Sequence, residues 1–223
     1  YRRGWLWPCA ALSVAAGAPF AAVIVNHSRL YDGIRHLLFI YPTLVVLAAA
    51  GWVACFESEP RKWVRVTAAG VLTWSLVTVV TFDVRAHPNQ IVYFNEFVGG
   101  PRGAFARYDL DYWGNCMLQG IEWSAAQARQ AGMPLSVSGN PLHLVQQDAQ
   151  RFPELVAVPL GREVHHFDIR LNRGPIAGIT ELANRGDALY TVKTPDGAVL
   201  CVVLPGPAYE SVRPKLARHA GAP

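Results

Sequence analysis

Three runs of about 20 residues, almost free of charge, crowd into the first 82 positions of the chain: 6–25, 37–56 and 63–82. A helix rises about 1.5 Å per residue, so each run reaches about 30 Å, the thickness of a bilayer's hydrocarbon core. An apolar helix in a soluble protein normally keeps a polar stripe for solvent. The second run, LLFIYPTLVVLAAAGWVACF, has no charge and no polar face at helical spacing. The first is rich in alanine and contains Pro8, Gly17 and Pro19. Membrane helices tolerate such residues where neighbouring groups satisfy the freed carbonyls. The third carries one charge, Arg65, near its start, where a long side chain can snorkel to the interface. The fold class this predicts is a membrane all-α region of three transmembrane helices at 1–83. A small extracytoplasmic α/β domain follows it.

Charge sets the expected orientation. Arg2 and Arg3 precede the first run, and Arg61, Lys62 and Arg65 surround the turn between the second and third. The loop between the first two holds Arg29 and Arg35, partly offset by Asp32. The excess of basic residues on cytoplasmic loops then places the start and the 57–62 turn inside. It places 26–36 and everything after Phe82 outside. The localisation expected is a multi-pass protein of the cytoplasmic (inner) membrane with its C-terminal domain in the periplasm. Trp5, Trp7, Tyr31 and Trp63 lie near span ends, where aromatic belts form. The chain opens on Tyr1 with no small-residue cleavage pattern after an apolar run, and reads as a fragment or a processed product.

Composition excludes some functions. The net charge is +4, no Lys/Arg-rich run is present, and aromatics do not interleave with basic residues. Nucleic acid is therefore not an expected partner. Cys9 and Cys55 fall within membrane runs and read as small hydrophobes. Cys116 and Cys201 fall outside, where disulfides persist, and the sequence leaves their pairing open. There is no CxxC and no zinc-like spacing.

Residues 84–113 read as a juxtamembrane connector, 114–210 as the α/β domain and 211–223 as a flexible tail. Within the domain, 114–132 has Leu118, Ile121, Ala125 and Ala128 at helical spacing, with Gly132 as a stop. Strands are expected at 135–138, 155–160 and 164–171. Asn140 is expected to cap a helix running to about Arg151, with Pro141 at its first position. Segments 189–193 and 199–204 flank Thr194-Pro195-Asp196-Gly197, a hairpin signal. The alternation predicts a layered α/β domain.

No Walker loop or dinucleotide fingerprint is present. Gly99-Gly100 with Gly103 reads as a turn more readily than as a phosphate cradle, since no strand leads into it. His165 and His166 on a strand point to opposite faces, which disfavours a shared metal. Ser136, Ser138 and His143 lack a positioned carboxylate and a nucleophile elbow. Asp109-Leu110-Asp111 has the spacing of metal-dependent sugar transferases, a short pattern that arises often by chance. No cofactor is expected, and a divalent metal is disfavoured.

Chemistry-bearing residues gather in two places. Arg35 and His36 precede the second run at the outer surface, where they can meet a lipid phosphate or serve as interface anchors. The stretch 86–123 packs Tyr93, Asn95, Asp109, Asp111, Tyr112 and Trp113 together. Aromatic faces beside carboxylates and amides suit a sugar, or form a structural collar between membrane and domain.

These residues carry a resemblance. Tyr31, Arg35-His36, Phe39 and Pro42 are followed by His87-Pro88, Val92-Tyr93-Phe94-Asn95, Gly99-Gly100, Gly103-Ala104, Tyr108 and Asp111-Tyr112-Trp113-Gly114. In this order they resemble the C-terminal part of bacterial family 39-type glycosyltransferases of the GT-C fold. Those enzymes are relatives of protein mannosyltransferases and aminoarabinose transferases. The resemblance covers about 28–125. It implies a polyprenyl-phosphate sugar donor, an acceptor outside the cytoplasm and inversion at the anomeric carbon. It also implies that Arg35 and His36 meet the donor phosphate. The family's catalytic carboxylate lies in an early outer loop that these residues do not include, so no catalytic residue is assigned in this chain. The implied partners are the sugar lipid, membrane lipid and an N-terminal remainder of the same protein. The alternative reading is a non-enzymatic, membrane-anchored module whose α/β domain binds an envelope partner or glycan.

Overall fold

The computed structural model describes residues 2–29, 33–58, 61–159, 164–173 and 176–220. They form two units, Tyr1–Thr78 and Val79–Pro223.

The first unit holds α1 (Arg2–Val25), α2 (Tyr41–Val53) and most of α3 (Lys62–Ala86). A 3-10 segment, Gly33–Ile40, leads into α2, and a π turn, Ala54–Ser58, ends it. The segments Leu6–Val25, His36–Glu57 and Lys62–Ala86 are each long and apolar enough to cross a membrane by length and composition. The second expected span is therefore a composite of three helix types. Pro42 lies in the first turn of α2 and lacks an N–H, so the preceding turn cannot continue the α-helical bonding pattern. Apolar side chains point outward here: Val71 and Val77 of α3 are 51% and 56% exposed, and α2 buries none of its residues. The small buried cluster of this unit is Ala16, Leu37 and Ile40, with Val23 against it.

The second unit is a mixed five-stranded sheet with helices. Its strands are β1 (Leu135–Asn140), β2 (Leu155–Ala157), β3 (Phe167–Leu171), β4 (Tyr190–Lys193) and β5 (Val199–Pro205), in the order β2-β1-β3-β5-β4. β1 pairs parallel to β2 and β3, while β5 pairs antiparallel to β3 and β4. The helices are α4 (Gly100–Ala104), α5 (Met117–Ala131), α6 (Leu142–Ala149), α7 (Ile176–Ala183) and α8 (Tyr209–Ala220).

α5 buries Met117, Gly120, Ile121, Ser124, Ala125 and Ala128 on one helical face. A Cβ on Gly120 would lie 3.1 Å from Ile169 and 3.3 Å from Val203, so the glycine lets this helix sit close on β3 and β5. Val145 and Ala149 of α6 and Val212 and Leu216 of α8 join the same core. β5 is buried on both faces, as its run VLCVVL requires. Val202 and Leu204 alternate with Val203 and pack with Phe105, with Leu182 of α7 and with Ala188.

Several expectations change. Asn140 does not cap a helix: it ends β1 in register with Arg170, and Pro141 itself is the N-cap of a shorter helix that stops at Ala149. The strands expected at 155–160 and 164–171 shorten to β2 and β3. α7 was not expected. The connector 84–113 contributes Val92, Ala104 and Leu110 to the core of the second unit. The tail 211–223 is largely α8, whose Val212 and Leu216 are buried, so it docks rather than frays. The hairpin forms as expected: Gly197 adopts φ 93, and the Thr194 and Ala198 main chains bond at 2.9 Å.

Candidate functional site

The Asp111-Tyr112-Trp113-Gly114 motif builds the start of α5. Asp111 is buried, and its carboxylate accepts the N–H groups of Asn115 at 3.0 Å and Cys116 at 2.7 Å. Donors at a helix start have no partner within the helix, and a negative charge there is favoured by the helix dipole. The carboxylate thus holds the turn that leads into α5, whose first residue is Met117. Gly114 adopts φ 75, and a Cβ there would lie 2.5 Å from Leu144. Asn115 donates its side-chain amide to the carbonyl of Pro88 at 2.8 Å and to the Asn89 side chain at 2.9 Å. Asn89 in turn donates to the Gln119 side chain. The His87-Pro88 corner at the end of α3 is thereby tied to the aspartate motif.

The Tyr93-Phe94-Asn95 segment packs beside it. The Tyr93 ring meets Phe82 edge-on at 5.2 Å, and Phe94 stacks on Tyr108 at 5.8 Å. Asn95 accepts the Val98 N–H through its side chain at 3.2 Å, and its carbonyl accepts from Gly100 at 3.1 Å. Gly99 and Gly100 adopt φ 91 and 65, and a Cβ on Gly103 would fall 2.0 Å from the Val98 carbonyl oxygen. The Arg102 N–H donates to the Asp196 carboxylate at 2.7 Å. The glycine cluster is thus a turn docked on the β4–β5 hairpin, which supplies its own anion.

Asp109 and Asp111 serve different partners. The Asp109 carboxylate lies 3.9 Å from the Arg173 guanidinium. That guanidinium sits 3.6 Å from the centre of the Tyr112 ring and donates to the Tyr112 carbonyl at 3.3 Å. Tyr112 meets Trp113 edge-on at 5.0 Å, and the Trp113 side chain is exposed. Asp109, Tyr112, Trp113 and Arg173 therefore form an open patch of two aromatic faces and an ion pair. Arg173 escaped the sequence reading because it follows β3, far along the chain, with no motif around it. Among the described residues, no group of three or more His, Cys, Asp or Glu side chains gathers to hold a metal ion.

Arg35 lies in the 3-10 segment with its side chain outside the described residues, as are Tyr31 and Asp32; His36 follows it and is exposed. Cys116 and Cys201 are buried and unbridged, and the Cys201 thiol donates to the Cys116 carbonyl at 3.3 Å. Burial, reinforced by Cys201, raises the Cys116 thiol well above its ordinary value. His166 Nδ1 accepts the Ser136 N–H at 3.0 Å and lies 2.8 Å from the Ser136 hydroxyl. A backbone N–H only donates, so Nδ1 is the acceptor and the ring proton belongs on Nε2. Burial, with His165 adding to it, holds His166 below the usual histidine range. This ring fastens β1 to the segment that enters β3. His143 is exposed on α6.

Comparison of the chain with family models, with curated proteins and with solved structures gives no match in any of the three.

Proposed function

We propose that the chain serves in a membrane glycosyltransferase of the family 39 type, acting on a polyprenyl-phosphate sugar at the outer face of the cytoplasmic membrane. One observation carries this reading. Two residues of the resemblance far apart in the chain, Pro88 and Asp111, are joined through Asn89, Asn115, Cys116 and Gln119 into one hydrogen-bonded knot. The knot lies at the end of a helix long and apolar enough to cross a membrane.

In this proposal the second unit is periplasmic, and the sugar passes to an extracytoplasmic acceptor with inversion. The lipid phosphate leaves as an anion, and cations held beside it lower the barrier. Arg35 supplies a planar fork of donors for that phosphate, and His36 a further donor. The base that deprotonates the acceptor hydroxyl comes from an N-terminal remainder of the same protein. The knot around Asp111 holds the collar in place, and no catalytic role falls on it.

The test uses the whole gene product in membrane vesicles, with radiolabelled sugar on polyprenyl phosphate. Arg35→Ala at equal expression is expected to lower transfer by about 100-fold. Undiminished transfer refutes the assignment. A second reading, a glycan-binding module without transferase activity, draws on the open patch of Asp109, Tyr112, Trp113 and Arg173. It predicts glycan binding that Trp113→Ala weakens, with no transfer by the whole gene product.

A further inference from the structure

We propose that the turn following α3 is a lipid-interface anchor in which Phe97 and Ile91 enter the headgroup–acyl boundary of the membrane. The inference rests on the membrane reading of the three apolar helices.

The apolar run of α3 ends at Phe82, and Asp83 and Arg85 follow in its last turn. That change from apolar to charged marks where the helix leaves the hydrocarbon. The chain does not continue outward from there. It reverses at His87-Pro88-Asn89, where the Asn89 N–H bonds back to the Ala86 carbonyl at 2.6 Å. It then returns far enough for the Tyr93 ring to meet Phe82. Phe82 lies four residues before the end of α3, which is about 6 Å back along the axis. Tyr93 is therefore held at the depth of the last apolar turn of the span, where aromatic side chains with one polar end settle.

The chain neighbours of Tyr93 present apolar groups outward. Val92 is fully buried in the core, but Ile91 beside it is 61% exposed. Phe97, at the tip of the turn after Asn95, is 93% exposed. Phe97 lies four positions after Tyr93, so its Cα lies within about 14 Å of that of Tyr93. The turn is held by built contacts. Asn95 bonds to Val98 and Gly100, Gly103 packs against Val98, and Arg102 is pinned to Asp196. A fixed turn that presents a phenylalanine to the outside loses little entropy when that ring enters a bilayer. Arg102 and Arg107 are exposed nearby in sequence and suit anionic headgroups. A bilayer surface is the occupant that the end of α3 already brings alongside.

The test places the photoprobe p-benzoylphenylalanine at single positions of the whole gene product in native membranes and identifies adducts by mass spectrometry. Phe97→p-benzoylphenylalanine is expected to give lipid adducts. So is the probe at Val45, an exposed position on α2, whereas the probe at Gln146, exposed on α6, is expected to give none. Lipid adducts at 45 without any at 97 overturn the anchor and leave the membrane reading standing. Protein adducts in place of lipid at 97 overturn it in favour of a protein partner. Absence of lipid adducts at both 45 and 97 overturns the anchor together with the membrane reading. Lipid adducts at 97 and 146 alike also overturn it, because the labelling is then not confined to one depth.

Discussion

Asp111 satisfies two main-chain donors with one carboxylate, and the residue next to the second of them starts α5. Its chemistry is that of a helix cap, enlarged because the group is charged and buried. Asp111→Ala orphans both donors, one of them on the fully buried Cys116. The expected loss is about 2–3 kcal/mol of stability. Asp111→Asn keeps an oxygen for one donor and is expected to lose less, about 1 kcal/mol. Urea unfolding followed by tryptophan fluorescence measures both. Wild-type stability in the alanine variant, paired with lost sugar transfer, would move Asp111 from the cap into the chemistry. Residue type marked this aspartate as a candidate from the sequence. Its role was not legible there, because a cap and a sugar-binding carboxylate differ only in which N–H groups come within reach.

α8 shows what pattern reading catches and what it misses among the elements. Tyr209, Val212 and Leu216 recur at helical spacing, but Pro214 and the interspersed Arg213, Lys215 and Arg218 hide the periodicity. The helix gains its stability from docking. Val212 and Leu216 are buried in the core, and the Leu216 carbonyl accepts the Gln130 side chain at 3.1 Å. Leu216→Ala is expected to cost about 2–4 kcal/mol, since it removes buried methyl groups and leaves a cavity. A urea midpoint equal to wild type would mean that this helix does not dock. The β4–β5 hairpin was legible because its signal is local: two apolar runs around Pro-Asp-Gly. α5 was legible from its periodicity, though its first turn was placed too early because the cap depends on Asp111. α7 and the open patch around Arg173 depend on contacts across the sheet, and no short window of sequence contains those. Arg35 stands where it did in the sequence, as a residue whose role rests on the resemblance.

The two units solve opposite solvent problems with one chain. The first presents its apolar side chains outward and buries few residues, whereas the second encloses a core from Val92 to Leu216 around a sheet. That core draws on residues after Ala86, with Phe82 of α3 packed at its margin. Residues 84–223 expressed alone are therefore expected to fold in water, with fixed near-ultraviolet dichroism and one cooperative urea transition. Removing the upstream helix takes Phe82 away from the Tyr93 ring and adds to the apolar surface that the exposed Ile91 and Phe97 already present. Such an area drives association. The isolated segment is thus expected to self-associate with rising concentration, and Phe97→Ser is expected to return it toward the monomer in sedimentation velocity. A monomer at all concentrations would show that the turn alone is too small to associate. A segment without a cooperative transition would show that the membrane helices are part of the fold of the second unit, and the division at Thr78 would fall with it.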